Sequence, residues 1–331
     1  MPDIPTLAGP VDPAALGRTL MHEHVFLVDP EHVANYGVGR WWDEEERIRD
    51  AVAKLRLLAA GGVSAVVDQT APGNGRDIPR LLRVAREVDL HIIVSTGFYT
   101  HDDLPQHYLW RGPGQIVDGP EPMVDDFVRD IEVGIGDTGV RAGLLKCCVD
   151  AKGPTPGVDR VLRAVAQAHS ATGVPISVHT DSASRSGRAA LAVLGKEPVD
   201  PTKVLISHAG DSTDLDYLME LADTGATLGM DRFGLDLYGQ TADRVRVVAE
   251  LAARGYGDRM VLSHDTACFA DYLGADPEPF RAVFLPDWHY RFVPDRVLPA
   301  LLAAGVTETQ IEQMLVDNPR RFLTPREVPR A

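Results

Sequence analysis

The sequence lacks the means for a disulfide framework. Its three cysteines, Cys147, Cys148 and Cys268, are odd in number, and adjacent cysteines rarely bridge each other. It also lacks a long apolar run. Stretches such as Val297 to Val306 are interrupted by proline and glycine and reach only about half a membrane span. The start, Met1 to Pro5, shows neither the basic region nor the apolar core of a secretion signal. A reducing cytoplasm is the expected location. Positive charge is scarce: 33 basic against 48 acidic residues leave a net charge of −15. That excess opposes nucleic acid and anionic membranes as partners and disfavours a strongly anionic substrate. There is no low-complexity tract and no long linker. No glycine-rich phosphate loop follows the first strand, which argues against an open, doubly wound nucleotide-binding sheet.

What is present is an alternation of strand and helix patterns along nearly all 331 residues. Continuous apolar runs predict strands at Thr19–Phe26, Val63–Thr70, His91–Thr100, Val140–Val149, Ile176–Thr180, Val204–His208, Thr227–Met230 and Met260–Ser263. Such runs suit parallel strands buried on both faces. Amphipathic stretches predict helices at Asp43–Ala60, Ile78–Val88, Val124–Ile135, Val158–Ala171, Leu215–Thr224 and Ala242–Arg254. Gly61, Gly62, Gly173 and Gly255 sit where those helices should stop. Eight strands separated by helices predict one α/β domain over residues 1–331, a (β/α)₈ TIM barrel. Residues 1–18 read as a short β-hairpin turning at Gly9-Pro10. The C-terminal part reads as a long connection, then helices near Asp295–Ala304 and Glu308–Val316, stopping at Asn318-Pro319.

His22 and His24 stand in the first strand, Arg18-Thr-Leu-Met-His-Glu-His-Val-Phe26. Residues two apart on a strand face the same way, so both imidazoles project together and Glu23 turns away. Two converging imidazoles make half of a divalent-metal site. Further candidates recur at later strand ends: Lys146, His179, His208 and Asp265. In a barrel these ends share one rim, where such folds carry out chemistry. Any one of them has a plain structural explanation. A strand-end histidine can simply be hydrogen-bonded, and Asp265 can cap a helix. A buried ammonium at Lys146 is costly unless paired, for instance with Asp150 or Asp181, or neutralised, for instance by reaction with carbon dioxide to a carbamate. Six coincidences on one rim favour metal.

Several motifs now combine. They are Leu16-Gly-Arg-Thr-Leu-Met-His-Glu-His24, the lysine strand Gly143–Asp150, Val178-His-Thr180, Ser207-His-Ala-Gly-Asp211, Gly229-Met-Asp-Arg-Phe-Gly234, Leu262-Ser-His-Asp265 and the tail Gly305–Arg320. Over nearly the whole chain they resemble the amidohydrolase superfamily and, within it, the phosphotriesterase-like lactonases. The resemblance implies that His22, His24 and Asp265 bind a buried metal and that His179 and His208 bind a more exposed one. Carboxylated Lys146 and a hydroxide would bridge the two. Zn, Co, Mn and Fe all suit such ligands. Asp265 would also carry the proton from water to the leaving alkoxide. Tyr99 would reach the hydroxide or the lactone oxygen, and Arg232 would orient substrate. Bonding to solvent, or ion pairs with Asp231 or Asp236, are the plain alternatives for these two residues.

The short stretch from Arg232 to His264, with a helix at Thr241–Tyr256, matches the lactonase branch. So does a large loop, Ala267–Trp288, whose Phe269, Tyr272, Leu273, Phe280, Phe284 and Trp288 either line an acyl-chain channel or pack the loop onto the barrel. Thr266-Ala267-Cys268 departs from the Tyr-Cys-Cys run common in the family. The expected activity is a binuclear metal-dependent lactonase that opens N-acyl-homoserine lactones (quorum quenching), with weak phosphotriesterase activity. Hydrolysis of esters or cyclic amides, or a non-catalytic metal-binding barrel, are the alternatives. A homodimer follows from the resemblance, with Trp41 and Trp42 either serving its interface, if exposed, or folding onto the barrel.

Overall fold

The computed structural model describes residues 2–37, 43–274 and 276–327, so Trp41 and Trp42 lie outside the described residues. The strands are β1 (Thr19–Leu27), β2 (Ala65–Asp68), β3 (His91–Gly97), β4 (Leu144–Val149), β5 (Ile176–Thr180), β6 (Val204–Ser207), β7 (Thr227–Met230), β8 (Met260–Leu262) and β9 (Ala267–Ala270). All pairings are parallel, in the order β8-β7-β6-β5-β4-β3-β2-β1-β9. The two outermost strands are pieces of one chain passage, residues 260–270. Its lower part bonds to β7, with Ser263 N–H donating to the Met230 carbonyl at 3.1 Å. Its upper part bonds to β1, where Asp265 N–H donates to the His22 carbonyl at 3.0 Å and His24 N–H to the Thr266 carbonyl at 2.9 Å. The sheet therefore curls shut into an α/β barrel.

Eight of the nine strands coincide with the expected ones to within a few residues. The ninth, β9, lies in what reads from sequence as a loop. Its Ala-Cys-Phe-Ala sequence has weak strand preference, and pairing with β1 in the register His24–Ala267 and Phe26–Phe269 holds it extended.

Aspartates and threonines start the outer helices. Asp43, Asp77, Thr155 and Asp214 each accept a backbone N–H in the first turn of the helices Glu44–Ala60, Ile78–Ala85, Pro156–Thr172 and Leu215–Asp223. Gly61, Gly173 and Gly255 end helices as expected, with Gly173 at φ 73° and Gly255 at φ 94°. The apolar faces of these helices pack on the outer face of the sheet. A separate apolar cluster, including Met21, Val67, Ile93, Leu144, Leu205 and Val261, fills the lower barrel interior. Ile4 and Leu16 from the N-terminal segment, and Phe322 and Leu323 from the last helix, belong to the same cluster. The floor is thus closed by the two ends of the described chain, and the C-terminal mouth is left for chemistry.

Two expectations need correction. The N-terminal segment forms one antiparallel bridge, Ile4–Val11, and no pair of strands. Its turn is closed between Thr6 and Gly9, earlier than Gly9-Pro10: the two exchange backbone bonds, Thr6 N–H to the Gly9 carbonyl at 3.2 Å and Gly9 N–H to the Thr6 carbonyl at 3.1 Å, and Thr6 Oγ1 donates to the Gly9 carbonyl at 2.6 Å. The C-terminal helix does not stop at Asn318-Pro319. The chain runs from Glu308–Glu312 through a π turn, Gln313–Asp317, into the helix Asn318–Leu323. Pro319 falls in the first turn of that last piece, where its missing N–H costs no hydrogen bond. Among the described residues no helix is long and apolar enough to cross a membrane.

Candidate metal centre

On β1, period two places His22 and His24 toward the barrel mouth and Glu23 on the other side. Glu23 is nevertheless busy. Its carboxylate accepts from Ser263 Oγ (2.9 Å), His264 N (3.0 Å), His264 Nδ1 (2.7 Å) and Thr266 N (3.2 Å). These bonds pin the turn that carries Asp265. That turn is strained: Asp265 has φ 54°, and His208 at the end of β6 has φ 66°. Positive φ costs a residue with a side chain about 1–3 kcal/mol, and it recurs where a site dictates backbone direction. Gly97 serves Tyr99 similarly. It has φ 96°, and a Cβ there would lie 2.1 Å from the Lys146 carbonyl.

The six expected ligands do meet. Asp265 Oδ1 lies 3.4 Å from His22 Nε2 and 3.3 Å from His24 Nε2. His208 Nε2 lies 2.9 Å from His179 Nδ1, and Lys146 Nζ lies 3.4 Å from His22 Nε2. The other nitrogen of each imidazole is held by a partner. Asp231 takes two of them, His22 Nδ1 at 2.8 Å and His208 Nδ1 at 3.0 Å. Thr70 Oγ1 takes His24 Nδ1 at 2.8 Å, and Asp150 takes His179 Nε2 at 2.9 Å. Each ring thus has one nitrogen fixed from behind and one lone pair presented to the common space, the arrangement that orients metal-binding histidines.

Residues 2–323 match the phosphotriesterase family. The chain belongs to that family. It is 52% identical over 322 residues to a protein of Mycobacterium tuberculosis named phosphotriesterase homology protein, covering 97% of this chain and 98% of that one. It is 34% identical to the aryldialkylphosphatase of Saccharolobus solfataricus, covering 93% and 95% of the two chains. The solved structure of the phosphotriesterase from Mycobacterium tuberculosis matches with a TM-score of 0.95 and 50% identity over 99% of this chain and all of that one. Phosphotriesterase-family members are hydrolases built around a binuclear divalent metal centre.

The donor set found here fits such a centre. His22, His24 and Asp265 form one group able to hold a cation, and His179 with His208 supply a second pair of convergent nitrogens. Burial pushes the imidazoles of His22 and His179 down to about 4, and that of His208 well below its ordinary value, so all three are neutral near pH 7. Burial opposes charge on Asp265 as well. His22, His208, the His24 hydrogen bond and Arg232 outweigh it and hold the carboxyl well below its usual range.

Lys146 is buried, and among the described residues no ion pair involves it; neither Asp150 nor Asp181 neutralises it. Its Nζ donates to Gln69 Oε1 at 2.6 Å, and burial lowers the amine to about 8. Arg232 pairs with neither Asp231 nor Asp236. Its Nε donates to Asp265 Oδ2 and its Nη1 to Asp211 Oδ2, both at 2.9 Å, and its guanidinium lies 4.3 Å from the Tyr238 ring. Asp211 is held in turn by the buried Arg244 at 2.6 Å. The Tyr99 hydroxyl lies 3.4 Å from His179 Nδ1, and burial keeps it well above its ordinary pKa, hence protonated.

The neutral imidazoles predict a pH effect in metal-free protein. A histidine at about 4 when folded and 6.5 when unfolded binds fewer protons in the fold. Stability should therefore be full above pH 6.5 and fall as pH drops toward 4. Thermal melting of metal-free protein across that window checks this; a flat melting temperature would show that these rings are not held neutral.

A cavity of about 400 Å³ opens over the cluster. Its lining combines polar groups, the ligands with Tyr99 and Arg232, and apolar ones, Leu27, Leu235, Tyr272, Leu273, Phe280 and Trp288 among others. Tyr272, Leu273, Phe280 and Trp288 of the large loop thus line the cavity. Phe269 is instead buried in the core and covered by Arg47 at 4.4 Å, and Phe284 is exposed against Phe280. Leu237 and Tyr238, from the short loop after β7, also reach the cavity and were not expected.

Proposed function

We propose that this chain is a metal-dependent lactonase that opens N-acyl-homoserine lactones, small signalling molecules whose ring opening ends their action. The observation that carries this reading is the mixed lining of the cavity. An electrophilic carbonyl suits its polar groups, and an aliphatic tail suits Leu27, Tyr272, Leu273, Phe280 and Trp288. His22, His24 and Asp265 would hold one cation and His179 and His208 the other, with carboxylated Lys146 between them. Zinc fits best, and Co, Mn or Fe suit the same donors. Bound there, the cations supply Lewis acidity and a water of lowered pKa.

The remaining steps belong to the chain's own side chains. Asp265, ionised, accepts the proton of the attacking water. Arg232 keeps that carboxylate aimed through Nε, and a guanidinium does not give up its own proton. The proton therefore has no route through Arg232 toward Asp211, and it stays on Asp265 for delivery to the ring alkoxide as it leaves. The protonated Tyr99 hydroxyl is a hydrogen-bond donor for a substrate oxygen.

Weak phosphotriester hydrolysis follows, because the same machinery can attack phosphorus. The relatives named aryldialkylphosphatase and phosphotriesterase homology protein make the ranking of the two activities the decisive measurement. We expect kcat/KM for a medium or long acyl lactone to exceed that for paraoxon by at least about a hundredfold, roughly 2.7 kcal/mol of transition-state binding. The reverse ranking would make the chain a phosphotriesterase proper. The three buried cysteines agree with the proposed cytoplasmic setting, and sedimentation of the metal-loaded protein tests the proposed homodimer.

A further inference from the structure

Strand β4 and the residue that follows it present Lys146, Cys148 and Asp150 at two-residue spacing, so all three face the barrel interior at increasing height. Lys146 belongs to the binuclear cluster. The other two meet a residue from the loop after β3. His101 Nδ1 lies 3.1 Å from Asp150 Oδ2 and 3.8 Å from Cys148 Sγ. Cys148 is also the register partner of His179 on β5, whose Nε2 is 2.9 Å from Asp150 Oδ2. One atom from each of His101, Cys148, Asp150 and His179 thus falls within 4.8 Å of every other.

The two separations from His101, 3.1 Å to Asp150 and 3.8 Å to Cys148, are close to those of a tetrahedral cation. Metal–nitrogen bonds near 2.0 Å and metal–sulfur bonds near 2.3 Å imply ligand-to-ligand edges of roughly 3.3 Å, or roughly 3.6 Å where sulfur takes part. A surface ion pair between His101 and Asp150 would account for two of the groups. It gives no reason for a buried sulfur to point at the same spot. Access exists, because His101, Asp150 and His179 line a groove of about 730 Å³ beside the main cavity.

We propose that His101 Nδ1, Cys148 Sγ and an Asp150 carboxylate oxygen form a third metal site for a borderline-soft divalent cation such as Zn²⁺, with its fourth position open to the groove. Binding breaks the Cys148 S–H bond, releases that proton to solvent and forms a sulfur–metal bond. A cation there competes with His179 for Asp150, so the third site is coupled to the orientation of a binuclear ligand. The site does not depend on the lactonase reading.

Cobalt titration tests it, since none of the binuclear ligands carries sulfur. Full-length protein already holding two cobalt ions per chain should take up one more, with a near-ultraviolet sulfur-to-cobalt charge-transfer band rising in step. Cys148→Ala and Cys148→Ser, both with melting curves like wild type, should lose the band and the third ion. His101→Ala, at a half-exposed position, should weaken the third ion at least about tenfold. No band at any cobalt excess in wild type would overturn the site. So would a band unchanged by Cys148→Ser, which would place the sulfur at Cys147 or Cys268.

Discussion

Replacing Lys146 with alanine should cut hydrolysis by at least about a hundredfold, beyond the usual cost of losing an outer-shell partner of a metal ligand, and should lower bound metal from two ions per chain toward one. The reasoning starts from burial. Lys146 is 1% exposed, has no carboxylate partner among the described residues, and its amine is lowered to about 8. A useful fraction is then the free amine, which can add to carbon dioxide, losing one proton and gaining a carboxylate. The nitrogen keeps one hydrogen and can still donate to Gln69 Oε1, which also accepts from Ser177 Oγ at 2.7 Å. The side chain so extended stands beside His22. Alanine would remove the proposed bridge and leaves Gln69 without that donor. Acetate or bicarbonate, filling the space as a free carboxylate, should restore part of both metal content and rate. Elemental analysis beside a lactone assay decides: a Lys146→Ala protein with two metals and full activity would make the lysine merely structural.

That lysine also shows how far the sequence carries. A cation in an apolar strand is legible as an anomaly, because burying it needs a reason. The barrel was legible for a related cause, since parallel strands covered on both faces must be continuously apolar and helices must alternate with them. The histidines were legible because strand spacing of two fixes a shared face. Their partners were not. Asp231 orients His22 across 209 residues and His208 across 23, and no local pattern marks such a pairing. Asp231 reads from sequence only as an ion-pair candidate for Arg232, and Asp150 only as one for Lys146. Glu23 reads as a residue turned away from the site, yet it clamps the turn that presents Asp265. Direction is the missing information for the large loop too. Phe269 and Phe280 are equally apolar in sequence, but one faces the core and the other the cavity. The helix Ser186–Leu194 escaped because it is short and no capping side chain marks its start: Arg185, in a left-handed conformation, stands at the cap position and makes no capping bond.

Exchanging Asp265 for asparagine should lower kcat by roughly 10²–10⁴, the range for losing general acid–base help, while metal content falls only modestly. Asparagine is the informative replacement for a backbone reason. Asp265 sits at φ 54°, a conformation that asparagine tolerates about as well as aspartate and alanine does not. The turn pinned by Glu23 should therefore persist. The amide keeps one oxygen for a cation or for Arg232, but not both contacts, because its NH₂ group must face either Arg232 Nε or the imidazole nitrogens. It also cannot take a proton from water. With no proton to deliver, the slow step should depend more steeply on the basicity of the leaving group, so lactones and aryl esters should diverge in the variant more than in wild type. The rate of wild type should rise with pH as the metal-activated water ionises, and that limb should survive in the variant. Turnover of lactone within about threefold of wild type, with two metals bound, would remove Asp265 from the proton path. Asp211 would be a poor substitute, since Arg232 and Arg244 already occupy both of its oxygens. The search would move to Asp181, on the groove beside His179.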